Sequence, residues 1–504
     1  MKLIALDQTY PQDWIRVITH ICNLFFEDSK VTTKNESADV HVSFMYDISE
    51  DFTVSATSTL VVDDKQFVSE FTQTYEEDAD KRGVNIRLKR AVSHVLLENL
   101  EKMTNIYQKW GILTGVRPTK LYHNFRRNGL SKEEIRNKLV TEFRLSNEKV
   151  DLMEKIVERQ LVTIPDLDTI GNEVSIYIGI PFCPTKCAYC TFPAYAIQSN
   201  RKKGRVATFL DGLHIEIERM GQWLTENNMK ITSVYWGGGT PTSIEAEEMD
   251  ALYETMYRSF PNPETIREVT VEAGRPDTIT EEKLAVLRKW GIDRISVNPQ
   301  SYTDETLKAI GRHHTVQETI DKFWLARKEG MNNINMDLII GLPNEGMEEF
   351  EHSIEETAKM QPESLTVHTL SFKRASEMTH NRDRYKVADR QTAEKMMNRA
   401  KEWTAENNYV PYYLYRQKNI VGNLENIGYS KPGEESIYNI AIMEEVQTII
   451  GLGCGASSKF VYAKTGKIEQ YHNPKEPAAY IMTYEDSINK KIELLNDMYG
   501  VKSK

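Results

Sequence analysis

Between residues 174 and 370 the chain alternates short β-branched runs with helical stretches, and that rhythm restricts the fold more than any other feature. Strand-like runs fall at 174–180, 233–236, 268–272, 294–297, 334–340 and 364–370. Helical periodicity fills roughly 203–227, 243–258, 281–290, 304–328 and 346–360 between them. Such strand–helix–strand units cross over right-handedly and build a parallel sheet. A complete eight-unit barrel needs about 250 residues, and the alternation changes character before that. The expectation is an α/β fold built on a partial (β/α)6 TIM-like barrel.

In parallel β/α folds, ligands sit at the carboxyl ends of the strands. Here the first run leads to Cys183-Pro-Thr-Lys-Cys187-Ala-Tyr-Cys190 and the second to Gly237-Gly-Gly-Thr-Pro-Thr242. The third ends in Glu272-Ala-Gly-Arg275 and the fourth runs into Asn298-Pro-Gln300-Ser301. The fifth carries Asp337 and ends in Gly341-Leu-Pro343; the sixth carries His368 and leads to Lys373. Polar and glycine-rich chemistry therefore gathers at one end of all six runs.

Three of the five cysteines fall within eight residues, spaced C-x3-C-x2-C. Clustered thiolates are soft ligands suited to zinc or iron–sulfur. A structural zinc site takes four protein ligands, usually as two separated pairs, and no fourth Cys or His follows here. Three cysteines would instead hold a four-iron cluster and leave one iron open. Buried reduced thiols, or half of a zinc site, are the plainer alternatives; Cys22 and Cys454 are most simply small buried residues. The triple glycine lets backbone approach a ligand closely. A carboxylate on an apolar strand needs a partner, so Glu272 faces either a cationic ligand or a structural arginine, Arg275 or Arg312. The adjacent side chains of His313 and His314 point apart, which suits solvated or capping residues better than a metal site.

Residues 1–165 form a separate α+β unit, with strands at 2–6, 40–45 and 52–62, a helix over 14–26, and helical pattern from 81 to 156 broken at Gly111-Ile-Leu-Thr-Gly-Val-Arg-Pro118. Its basic clusters, among them Arg87, Lys89, Arg90 and Arg117, suit a solvated helix face, or a surface that docks an acidic partner. The barrel is assigned to 166–376 and a smaller α/β extension to 377–504. In that extension Tyr409, Tyr412, Tyr413 and Tyr415 form either an aromatic wall or part of a buried strand. The net charge of −11 argues against a generic nucleic-acid binder. No apolar run approaches the roughly 20 residues of a membrane span, and residues 1–8 lack a signal-peptide core. A cytoplasmic location is expected.

The string Tyr177-Ile-Gly-Ile-Pro-Phe-Cys183-Pro-Thr-Lys-Cys187-Ala-Tyr189-Cys190-Thr-Phe192 resembles the radical S-adenosylmethionine superfamily. Within it, the string is similar to oxygen-independent coproporphyrinogen III oxidases and their heme-chaperone relatives. The resemblance implies a [4Fe-4S] cluster on Cys183, Cys187 and Cys190, with S-adenosyl-L-methionine on the open iron. By the same resemblance, Gly238, Gly239 and Thr240 match the segment that contacts the cofactor's amino group, and Glu272 lies at the same rim. Gln300 would face the ribose and Arg312 the methionine carboxylate. Asp337 matches a ribose-binding aspartate, and Tyr189 would give backbone to the adenine. Tyr177 would line the cofactor or substrate side and is the candidate catalytic residue.

The implied reaction is oxidative decarboxylation of two propionates of coproporphyrinogen III, giving protoporphyrinogen IX, with electrons from an unidentified donor. The chain departs from the main oxidases at Gly179, where they carry His, and at Phe192, where they carry a further Cys. Phe192 is shared with the heme chaperones, yet Tyr438-Asn-Ile-Ala-Ile-Met443 lacks their H-N-x-x-Y-W heme motif. This mixture, with the long N-terminal unit, resembles the HemZ-type coproporphyrinogen dehydrogenases. A heme carrier and a radical RNA-modifying enzyme are the alternatives.

Overall fold

The computed structural model describes residues 2–26, 29–33, 37–75, 81–372, 376–381, 384–462 and 465–501. Lys373 lies outside the described residues. The chain divides into two compact units, residues 1–154 and 155–504.

The first unit is built on a five-stranded sheet in the order β2-β1-β3-β4-β5 among the described residues. Its strands are β1 (Lys2–Leu6), β2 (Ser29–Thr33), β3 (Val40–Ile48), β4 (Thr53–Val62) and β5 (Lys65–Thr74). β2 and β3 flank β1 in parallel, and β3, β4 and β5 form an antiparallel meander. On β4 the Thr/Ser–apolar alternation buries Val54, Ala56 and Leu60 against helices Gln12–Cys22 and Lys81–Thr104. The basic residues of the second helix are engaged: Lys89 pairs with Asp13 at 2.8 Å, Arg90 with Glu142, and Arg87 lies over the Tyr75 ring.

The second unit carries the six expected strands: β6 (Val174–Ile180), β9 (Ile231–Gly238), β10 (Glu268–Val271), β11 (Arg294–Ser296), β12 (Ile334–Ile340) and β13 (Ser364–Thr369). Between β6 and β9 lie two short strands, β7 (Phe182–Cys183) and β8 (Tyr195–Ala196), which pair with each other. The described C-terminal residues extend the barrel sheet at both edges. On one side stand β15 (Asn426–Ser430), antiparallel to β13, and β14 (Val410–Tyr415), antiparallel to β15; on the other stand β16 (Thr448–Gly453), β17 (Ser457–Val461) and β18 (Ile468–His472). β16 runs parallel to β6, with Gly451 opposite Tyr177, so it adds a seventh parallel strand to the six.

Parallel strands covered on both faces usually read as continuous apolar runs. These do not. Ile176, Ile178, Val234, Trp236, Val269, Val271, Leu365 and Val367 are buried on the helix-covered face. The alternate positions carry Tyr177, Tyr235, Glu272, Asn335, Asp337, Thr366 and His368, which meet one another inside the curl of the sheet. The interior is therefore polar and aromatic, as a ligand-holding barrel requires.

Helix Ile437–Glu444 closes the amino-terminal end of this interior. Glu268, the first residue of β10, accepts from Ile437 N at 2.7 Å, Tyr438 N at 3.2 Å and Ser436 Oγ at 2.9 Å, which satisfies the helix's unpaired first N–H groups. The Tyr438 ring points inward and stacks on Tyr235, centroids 4.5 Å apart. Tyr412 and Tyr413 are both buried, because a bulge between Pro411 and Tyr413 breaks the alternation of β14.

Candidate functional site

Pro181 and Pro184 stiffen the loop that follows β6, and neighbouring strand ends hold it in place. Tyr195 N donates to Pro181 O at 2.8 Å, and Ala188 N donates to Ile310 O at 2.9 Å. Thr185 Oγ1 donates to Gly311 O at 3.0 Å. Gly311 has φ +78°, and that turn splits the helix expected over 304–328 into Asp304–Ala309 and Val316–Lys328. The turn carries Arg312 and His314 to the loop.

Cys183 is buried at the end of β7, while Cys187 and Cys190 are partly open. Burial pushes the Cys183 thiol up to about 11; Thr240 lowers it, the other two sulfurs raise it and Arg275 lowers it. The three thiols are thus electrostatic neighbours. Among the described residues, no three His, Cys, Asp or Glu side chains converge as one ion needs. A tetrahedral zinc holds its sulfurs at about 2.3 Å and requires that convergence. A four-iron cluster takes one thiolate on each of three irons.

The glycine segment lies directly against this loop. Gly239 N donates to Ile180 O at 2.7 Å, Thr240 N to Phe182 O at 2.8 Å, and Thr240 Oγ1 stands 3.3 Å from Cys183 Sγ. A Cβ on Gly239 would sit 2.6 Å from Phe182 O, and one on Gly238 (φ +108°) 2.9 Å from Ile180 O. Gly237, the first of the three glycines and not among those matched to the cofactor, is constrained as well. Its Cβ would crowd Tyr177, Tyr235 and Glu272 at 3.0–3.1 Å, inside the barrel. Counting inward by two from Gly237 also identifies Tyr235 as an interior residue.

Neither arginine weighed for Glu272 pairs with it. Its carboxylate accepts from Tyr235 OH instead. Burial raises the Glu272 carboxyl to about 7, a rise that Tyr235 moderates and Asp337 reinforces. Tyr177 stacks on Tyr235 with centroids 6.2 Å apart, and on Tyr438 at 6.4 Å. Burial, then the Glu272 charge, raises its hydroxyl far above the usual tyrosine range.

Gln300 adopts φ +68°, an unusual conformation for a residue with a side chain. Backbone bonds from Gln300 N to Asp337 O (2.9 Å) and from Ile339 N to Gln300 O (3.0 Å) enforce it. Asp337 accepts from Asn335 Nδ2 at 2.8 Å and lies 3.5 Å from His368 Nε2, whose Nδ1 is 3.1 Å from Tyr415 OH. Burial raises the Asp337 carboxyl, but the bond to and charge of His368 outweigh it and hold the group below the usual range. Sequence reasoning placed His368 on the right strand but gave it no role.

Arg312 spans two strand ends, donating to Asn298 O and Gly274 O at 2.8 Å each. Its Nε, together with Asn298 Oδ1 and Ser296 Oγ, is buried without a hydrogen-bond partner. Such atoms cost free energy unless a ligand satisfies them. Tyr189 packs against the apolar cluster that includes Ala188, Ile310 and Leu370, and the Cys187 thiol and the Arg312 charge act on its hydroxyl. His314 is buried too, and burial followed by the Arg312 charge lowers its pKa to about 3.

At Gly179 a side chain would press on its neighbours. A Cβ there would lie 3.1 Å from Cys454 O, because the turn after β16 occupies that space. Phe192 is exposed on the loop surface.

Residues 177–357 match the Radical SAM superfamily. Over 486 residues the chain is 57% identical to the oxygen-independent coproporphyrinogen-III oxidase-like protein HemZ of Bacillus subtilis, covering 96% of each. It is 35% identical over 196 residues to the heme chaperone HemW of the same organism, spanning 39% of this chain and 50% of that one. A solved structure of Escherichia coli coproporphyrinogen III oxidase (HemN) aligns over 66% of this chain and 73% of its own, with 20% identity and a TM-score of 0.49. No described helix is long and apolar enough to cross a membrane. The chain belongs to the radical SAM superfamily, whose members use a [4Fe-4S] cluster and S-adenosylmethionine, and within it to the family of the HemZ oxygen-independent coproporphyrinogen-III oxidase-like proteins.

Proposed function

We propose that the protein is a cytoplasmic, oxygen-independent coproporphyrinogen III dehydrogenase that converts two propionates to vinyl groups and yields protoporphyrinogen IX. The observation that carries this reading is the 57% identity to a coproporphyrinogen oxidase-like relative across 96% of both chains. The residues present fit the two cofactors: three thiols on one loop, a glycine cradle beside them, and buried orphan polar atoms at the next strand ends. When bound, these groups supply one-electron reduction and hydrogen-atom abstraction.

In this reading Cys183, Cys187 and Cys190 hold the cluster. Glu272 takes the cofactor's ammonium, with Gly238, Gly239 and Thr240 offering backbone and hydroxyl groups beside it. Gln300 and Asp337 take the ribose hydroxyls, Arg312 the carboxylate, and Tyr189 the adenine. Tyr177, Tyr235 and Tyr438 form an aromatic floor that bears a flat macrocycle and keeps water out from below. Residues 1–154 act as a separate module; the boundary lies before the 165 expected, because Gln160 bonds to Tyr412 O and Ile164 packs with Tyr412, and 155–376 carry the chemistry while 377–504 complete the barrel interior. Electrons come from an unidentified donor.

The test is anaerobic incubation of reconstituted protein with S-adenosylmethionine, reductant and coproporphyrinogen III, followed by product analysis. Vinyl-bearing product is expected; cofactor cleavage without it sinks the reading. Tight heme binding without turnover would instead support a carrier, the reading favoured by the similarity to HemW.

Glu272 gives a separate, pH-dependent check. Its carboxyl is pushed up to about 7, so below that pH the free protein holds it neutral and binding an ammonium must first deprotonate it. Affinity for S-adenosylmethionine is therefore expected to fall about tenfold per pH unit below 7. In Glu272→Gln, calorimetry should give weaker binding with that slope removed; an unchanged slope would discard the contact.

A further inference from the structure

Arg275 is only 3% exposed, yet its guanidinium faces the cluster loop rather than solvent. Its Nε and Nη2 donate to the two Asp277 oxygens at 3.0 and 2.8 Å, a bidentate pair that fixes the plane of the group. The remaining nitrogen, Nη1, donates to Thr185 Oγ1 at 3.1 Å and Thr185 O at 3.3 Å, and lies 3.9 Å from Cys187 Sγ. Thr185 in turn bonds to Gly311 O. One buried cation therefore braces the loop midway between two cysteines and aims an N–H at the sulfur of the second.

We propose that Arg275 is a positioning residue for the cluster, acting through Cys187 to raise the reduction potential of the group held there. Three thiolates make the site anionic, and reduction adds one more negative charge. A fixed positive charge next to a ligand sulfur favours the reduced form over the oxidised one, and hydrogen bonds to sulfur act in the same direction. Burial keeps the interaction poorly screened. Asp277 opposes the effect from the far side of the guanidinium, so the pair sets the poise jointly. Arg312 and His314 also face this region, and burial keeps His314 neutral. The inference rests on the cluster being bound by Cys183, Cys187 and Cys190.

The full-length protein, reconstituted anaerobically without S-adenosylmethionine, is titrated with a low-potential reductant and mediators, and the reduced cluster is read by electron paramagnetic resonance. Arg275→Gln is expected to retain iron and show about a tenfold lower ratio of reduced to oxidised cluster at a fixed potential, a shift of about 59 mV for a one-electron couple. Arg275→Lys should restore part of it, and Asp277→Asn should shift the potential upward. A merely structural clamp would give cluster loss or shifts of one sign in both variants. Unchanged potentials at full iron content, or a fall in Asp277→Asn, overturn the proposal. If Arg275→Gln takes up no cluster, the direction of the Asp277→Asn shift decides; if neither variant takes one up, the residue is structural and the proposal fails. Absence of iron from the wild type would instead overturn the ligand assignment itself.

Discussion

Cys187→Ala is expected to take up no cluster. The loop has no reserve sulfur. Cys454 is buried and donates to Pro474 O at 3.2 Å, with its thiol pushed far up by burial and then by Glu216. Cys22 lies in the core of the other unit, where burial lifts its thiol to about 12. Neither can supply the thiolate that iron requires. Two remaining cysteines would leave two irons exposed to water and oxidant. Iron and sulfide should therefore fall to background after anaerobic reconstitution, with the far-ultraviolet dichroism unchanged because Cys187 sits in a loop. Full iron content in that variant would refute the ligand set.

The second large effect is on stability. Helix Pro477–Tyr499 brings Lys491 against Glu216 of helix Arg205–Glu226, and both side chains are completely buried. Glu216 also accepts from Gly453 N at 2.7 Å, Tyr480 OH at 2.6 Å and Asn473 Nδ2 at 3.0 Å. The Lys491 ammonium reaches Gly451 O as well, at 2.8 Å. Lys491→Met leaves a buried carboxylate with neutral donors only, which costs about 3–5 kcal/mol. Urea unfolding of this unit should shift to markedly lower denaturant concentration. Adding Glu216→Gln removes the stranded charge while keeping an acceptor for Gly453 N, and should recover most of the loss. A single variant as stable as the wild type would show that the pair is dispensable.

Much of the barrel was legible because strand and helix periods differ and because each strand end carried its own polar group. The cysteine loop, the glycine segment, Glu272, Gln300, Arg312 and Asp337 could all be located that way. What the chain concealed lies in long-range contacts. Nothing local at 448–453 announces pairing with β6, so the seventh parallel strand and the space it takes beside Gly179 were not foreseen. Tyr438 looked like a remnant of a motif, whereas Glu268 fixes its helix so that the ring enters the barrel. Arg275 was weighed against Glu272. The backbone turns at Pro276 into a short 3-10 helix, and Asp277 captures the guanidinium instead. The bulge in β14 hid which tyrosines share a face.

The pairing of β16 with β6 also bears on how the protein is made. Translation adds roughly 5–20 residues per second, and about 300 residues separate Cys187 from Lys491. The cysteine loop therefore leaves the ribosome tens of seconds before its neighbouring strand and the helix that locks that strand in place. During that interval the edge of β6 is an open template for another chain. Cluster delivery to the finished site has to follow synthesis of the segment that carries Lys491, and truncations before that residue should accumulate as insoluble, iron-free chains.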